Sequence, residues 1–282
     1  MTAQDRLTAA ATAIHERRYA DALEGLVWFH EHALEETPEL SGVRLSFALG
    51  WWSDLAALYP PALTALHSAR DKAAAALLGA DGTRTLFQEV RTIDQHLHQV
   101  DQTYQLFLAL EEGNPELAVA CGRLALDALI AAGDFPRASR IMPEPEALIR
   151  RAGAALERRL LRGVTQKYTG APTRWAEIRN HIEDVQQLLA IVRGIGEPAR
   201  AAALAQLAVT QLSSPSVRRD VAAGLVKPLP PPMPDKKRFR SDAMRARRRA
   251  TAARRRARMQ RGLVLVGAVP AVHQPVQQRQ DQ

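Results

Sequence analysis

Asp94, His98 and Asp101 are the side chains in this 282-residue chain that come nearest to a metal site. Positions i, i+4 and i+7 share one helix face, and an imidazole between two carboxylates can hold a divalent cation once another helix completes the set. The competing reading, and the preferred one, is a solvated flank with an Asp/His pair beside an apolar seam. His96 falls on a different face. In His30-Glu31-His32 the two histidines point to different sides of a helix and cannot share an ion. Leu34 stands where an HExxH metalloprotease needs its second histidine, so packing is the expected role of both. Trp51 and Trp52 lie about 100° apart around a helix, so at most one can face a groove as an aromatic platform while the other enters the core. No phosphate-binding glycine loop, nucleophile elbow or kinase signature occurs. The chain is therefore expected to be non-enzymatic and to hold no cofactor.

The densest chemistry is charge. Lys236, Lys237, Arg238, Arg240, Arg245, Arg247, Arg248, Arg249, Arg254, Arg255, Arg256, Arg258 and Arg261 form a candidate polyanion-binding segment. Guanidinium groups pair with phosphates, so such a segment would bind nucleic acid with a steep salt dependence and little sequence preference. Only Phe239 interleaves it, which leaves little base stacking. Taken with the apolar run Leu263 to Val269 it could instead meet an anionic membrane surface, or it is a solvated tail without a dedicated ligand.

The elements that would position these groups are helices. Alanine and leucine dominate a composition that is 46% hydrophobic but only 5% aromatic, which favours helix over sheet. The fold class expected is all-α, built of irregular antiparallel helical hairpins. The packing centre is the stretch from Tyr19 to Leu78, which collects half of the aromatic residues. One helix should run from Tyr19 to Glu36 with Ala22, Leu26, Phe29 and Ala33 inward. A second, from about Ser41 to Tyr59, is read with Val43, Phe47, Trp51, Leu55 and Leu58 on one face, Leu45, Leu49, Trp52 and Ala56 on another, and Arg44 in water. Tyr59-Pro60-Pro61 then breaks the chain before a helix ending at Leu78.

Leu86, Val90, Ile93, Leu97, Val100, Tyr104 and Phe107 alternate steps of four and three. They predict a single helix over 83–110, roughly 40 Å long, lying along several neighbours or along a partner chain, a second copy included. A functional groove is expected between this helix and the Tyr19–Leu78 block. The polar stretch from Gly163 to Pro172 reads as a loop or subdomain boundary. Residues 1–226 form the body, 227–235 a proline-rich linker, and 236–282 an arginine-rich disordered tail.

From Lys227 onward 15 Lys and Arg face 3 Asp and Glu, a charge of +12; the preceding residues hold 23 basic and 27 acidic groups, or −4. Body and tail thus differ in sign. One cysteine, Cys121, fits a reducing, cytoplasmic setting. The amino terminus has no signal-peptide pattern, and no run reaches the length of a membrane span.

Several helix starts resemble tetratricopeptide repeats. Gly133-Asp-Phe-Pro-Arg-Ala138 looks like the opening of the second helix in that family, Gly113-Asn-Pro-Glu-Leu-Ala118 like a copy with proline replacing the aromatic, and Tyr19-Ala-Asp-Ala22 shares the aromatic and the alanine. The spacing from Ala22 to Ala33 is about one turn too long, Pro145 takes the second small position of the Phe135 unit, and no even repeat of about 34 residues emerges. The resemblance implies a scaffold that binds a protein or peptide in a groove of its first helices.

Overall fold

A computed structural model describes residues 1–165 and 171–229, with the backbone alone at 162–165 and 171–172. The described secondary structure is entirely helical: α1 (Ala3–His15), α2 (Tyr19–Glu36), a 3-10 turn (Pro38–Leu40), α3 (Ser41–Val43), a π-helical turn (Arg44–Ala48), α4 (Leu49–Ala56), α5 (Pro60–Leu78), α6 (Arg84–His96), α7 (Val100–Gly113), α8 (Pro115–Ala131), α9 (Phe135–Ile141), α10 (Pro145–Thr165), α11 (Ala171–Gly194), α12 (Pro198–Thr210) and α13 (Pro215–Val226). The all-α expectation holds. Among the described residues no helix is long and apolar enough to cross a membrane.

One turn recurs four times and sets the architecture. Arg17, His98, Gly133 and Gly196 each adopt a left-handed conformation, with φ of 59°, 57°, 74° and 87°. In each case the following amide reaches back five residues: Arg18 N to Ala13 O, Gln99 N to Asp94 O, Asp134 N to Leu129 O, and Glu197 N to Val192 O, all at 2.8–3.1 Å. This Schellman closure satisfies carbonyls that a helix end would otherwise strand. It folds α1 on α2, α6 on α7, α8 on α9, and α11 on α12. Three residues into each second helix stands a small side chain, Ala22, Thr103, Ala138 or Ala201, at most 2% exposed, which lets the two helices of the hairpin approach.

Prolines mark helix starts, at joints outside those hairpins and, for Pro198, inside one. Pro38, Pro60, Pro115, Pro145, Pro198 and Pro215 sit in the first turn of their helices, where the missing amide costs nothing. The two glycine motifs that look alike in sequence therefore serve different joints. Gly133 makes a hairpin turn, with the Asp134 carboxylate accepting from Arg137 N at 3.2 Å. Asn114 stands between hairpins with a non-helical backbone and caps α8 by accepting from Leu117 N at 3.1 Å.

The helix expected over 83–110 is two helices. Leu97 to Gln99 form its break, although they include neither glycine nor proline, because the turn tolerates histidine in the left-handed position. The four/three seam is consequently shared between two cores. Ile93 joins Leu7, Leu26, Phe29 and Trp52 in the first; Val90, Phe87 and Phe107 join α8 to α12 in the second, the two phenylalanine rings meeting edge to face at 6.0 Å. A third, smaller core gathers Leu156, Ile178, Ile182, Leu212 and Val221.

The inward face of α2 is as expected. In the next segment Leu49, Trp52 and Leu55 are buried as expected, but Arg44 is buried with them while Phe47 is 67% exposed. Of the two apolar faces, the one carrying Leu49 and Trp52 turns inward, and Arg44 joins it because its charge has a partner inside. Nor does the stretch from Gly163 to Pro172 form one loop, since α10 continues to Thr165 and α11 begins at Ala171. Residues 1–229 form one compact unit without a boundary there. Leu229 packs against the third core, so the start of the expected linker belongs to the body. The rest of that linker and the arginine segment lie outside the described residues.

Candidate functional site

Asp94, His98 and Asp101 do not share a helix face, because α6 ends between the first and the second. Asp94 is fully buried and already satisfied: it accepts from Arg70 Nε at 2.9 Å and from Thr103 Oγ1 at 2.8 Å. It thus ties α5, α6 and α7 together beside the hairpin turn. His98 supplies that turn, and Asp101 is exposed in the first turn of α7. Among the described residues no group of three or more His, Cys, Asp or Glu is placed to hold a metal ion.

His30 and His32 do diverge. His32 faces outward, its ring 5.5 Å from Trp28, and Arg6 lies over the Trp28 ring at 4.0 Å. His30 is buried beside Trp52, which donates its indole N–H to Ala62 O at 2.9 Å; Trp51 is half-buried. His30 Nε2 lies 2.9 Å from Glu89 Oε1, and Arg44 grips the same carboxylate with Nη1 at 2.8 Å and Nη2 at 2.7 Å while its Nε donates to His30 O at 2.6 Å. Burial alone would raise the Glu89 carboxyl, but hydrogen bonds from His30 and Arg44, with the Arg44 charge, hold it at about 2. A carboxylate can only accept, so the facing His30 nitrogen carries the hydrogen. All three side chains are enclosed. The network holds α2, the π turn and α6 together and offers no open side to a substrate.

His181, which no motif of the sequence marks, is fully buried on α11 with neither ring nitrogen partnered among the described residues. Burial, with the nearby Arg159 charge, lowers it to about 4. Cys121 is a buried free thiol that burial raises to about 11, which makes it unreactive at neutral pH.

Among the described residues an open cleft of about 670 Å³ lies between the end of α7, α8 and α9, reaching the start of α6. It lies away from the groove expected beside the Tyr19–Leu78 block, because breaking the 83–110 helix spends that seam inside the cores. Phe107 and Ala118 form its apolar depth, and Val119, 84% exposed, stands on its rim with Ile141 opposite on α9. Its charged lining is four arginines, Arg84, Arg123, Arg137 and Arg140, and one Glu111. Arg137 is neutralised by Glu111 at 2.6 Å and by Asp134. Arg84 donates Nε to Ala120 O at 3.2 Å; it, Arg123 and Arg140 have no ion pair among the described residues. Arg123 also lies within electrostatic reach of Asp184 on α11.

Phe107, Ala118 and Arg137 stand in the seam and helix-start motifs of the sequence, but Val119, Arg84, Arg123 and Arg140 belong to no pattern that marks a site. Val119 carries the one local signal, an apolar residue off the Leu117, Cys121, Leu124 and Ala128 stripe of its helix. The arginines come from three helices and meet only in the fold. No family profile, curated protein or solved structure matches the chain.

Proposed function

We propose that this chain is a non-enzymatic interaction protein, similar to an irregular tetratricopeptide-like array, that holds a protein or peptide segment in the cleft between α7, α8 and α9. The observation that carries this reading is Val119, a large apolar side chain left in water on the rim of an apolar-floored cleft. The volume falls within the roughly 300–1,000 Å³ of sites that enclose small ligands, enough for a few partner side chains. The recurrent left-handed turn supports the array reading, since it repeats one hairpin geometry along the chain. A single, buried, unpaired cysteine supports a reducing compartment such as the cytoplasm. The test compares proteins retained by the immobilised full chain, by the chain ended at Leu229, and by Val119→Arg. Retention by the first two and loss by the third is expected; unchanged retention by Val119→Arg overturns the reading.

A second reading is favoured by the charge of +12 beyond Lys227. In it the arginine segment contacts nucleic acid phosphates, and the body positions it. Filter binding across a salt series tests this. Affinity that falls steeply with salt and disappears on deletion of residues 236–261 is expected, and affinity that survives either change overturns it.

A further inference from the structure

On the basis of that cleft, we infer that its occupant is an acidic peptide, whose Asp or Glu carboxylates meet Arg84, Arg123 and Arg140 while an apolar side chain rests against Val119 and Ile141. Glu111 is spent on Arg137, so the cleft presents three guanidinium groups without a carboxylate partner among the described residues. Residues 1–226 carry more acidic than basic groups, so this positive lining is opposite in sign to the body that contains it and does not reflect average composition. A guanidinium matches a carboxylate with two parallel N–H donors, which gives geometry as well as charge. Arg84 is held by its bond to Ala120 O, so less side-chain freedom is lost when a ligand arrives.

The chain's own arginine segment has the same sign as the cleft and is a poor occupant. Nucleic acid fits less well than a peptide, because the cleft is a short apolar-floored enclosure. Its one aromatic side chain, Phe107, is buried and gives no stacking platform. An acidic peptide with apolar residues satisfies both the arginines and Val119.

The test uses the full chain with methyl-labelled valine and isoleucine, titrated with a short spin-labelled peptide of alternating Glu and Leu or with its Gln/Leu counterpart. Broadening at the Val119 and Ile141 methyls reports the cleft and ignores binding to the arginine segment. The Glu peptide is expected to broaden these signals at an at least about tenfold lower concentration than the Gln peptide, and Arg123→Glu with Arg140→Glu is expected to abolish that preference. Equal broadening by both peptides overturns the acidic inference and leaves the cleft reading standing. Absence of broadening by either overturns both. Methyl shifts that depend on protein concentration without peptide assign the cleft to a second copy and overturn the inference of a peptide partner.

Discussion

Arg44 meets Glu89 in a two-pronged ion pair inside the fold, Nη1 and Nη2 at 2.8 and 2.7 Å from the two carboxylate oxygens. Removing one member of a buried pair leaves a charge that nothing solvates. Arg44→Met should therefore cost about 3 kcal/mol or more, whereas Arg44→Met combined with Glu89→Leu should cost less than either change alone predicts. Urea denaturation of the four proteins measures the coupling.

The same carboxylate gives a pH dependence. Held at about 2 when folded against 4.5 when exposed, Glu89 contributes stability that is present above pH 4.5 and lost as the pH falls toward 2. His181 acts in a higher window. Its folded value of about 4 lies below the exposed 6.5, so the unfolded chain takes up a proton first and stability falls between about pH 6.5 and 4, by up to about 3 kcal/mol. Asp184, which burial raises, works in the opposite direction at the acid end of that window. His181→Leu should flatten the decline between pH 6.5 and 4 and leave the Glu89 loss below it. Thermal melts across pH would show both.

Asp94 and His98, a metal pair by spacing, should behave as unrelated structural positions. Asp94→Ala strands the Arg70 guanidinium and the Thr103 hydroxyl and should destabilise by about 2–3 kcal/mol. His98→Gly relieves a left-handed residue and should leave stability unchanged or raise it by about 1 kcal/mol. Melting temperatures of the two variants, moving apart in this way, confirm the hairpin.

Gly194 is where α11 meets the Phe135 ring at the start of α9; a Cβ there would lie about 2 Å from ring atoms. Gly194→Ala should destabilise by more than about 1 kcal/mol, and pairing it with Phe135→Leu should recover part of the loss. Chemical denaturation decides whether the two changes couple.

Much of the helical architecture was legible because its punctuation is local. Prolines mark helix starts, Gly133-Asp134 marks a hairpin, and Ala22, Leu26, Phe29 and Ala33 keep one face. The break at Leu97–Gln99 was illegible for a physical reason: a three-residue turn lets the apolar spacing continue from α6 into α7, and His98 replaces the glycine that would have flagged it. Arg44 looks wet in the sequence because its partner Glu89 is 45 residues away. The cleft escaped for the same reason, as Arg84, Arg123 and Arg140 are brought together only by packing of α6, α8 and α9.

The cleft as the binding surface is tested most directly by a photo-crosslinking residue placed at Val119, with a control at Phe47, an exposed apolar residue on the first core's segment. Adducts at Val119 that are absent at Phe47 and are displaced by the Glu/Leu peptide are predicted. No adduct at Val119, or the same adducts at both positions, would contradict a binding role for the cleft.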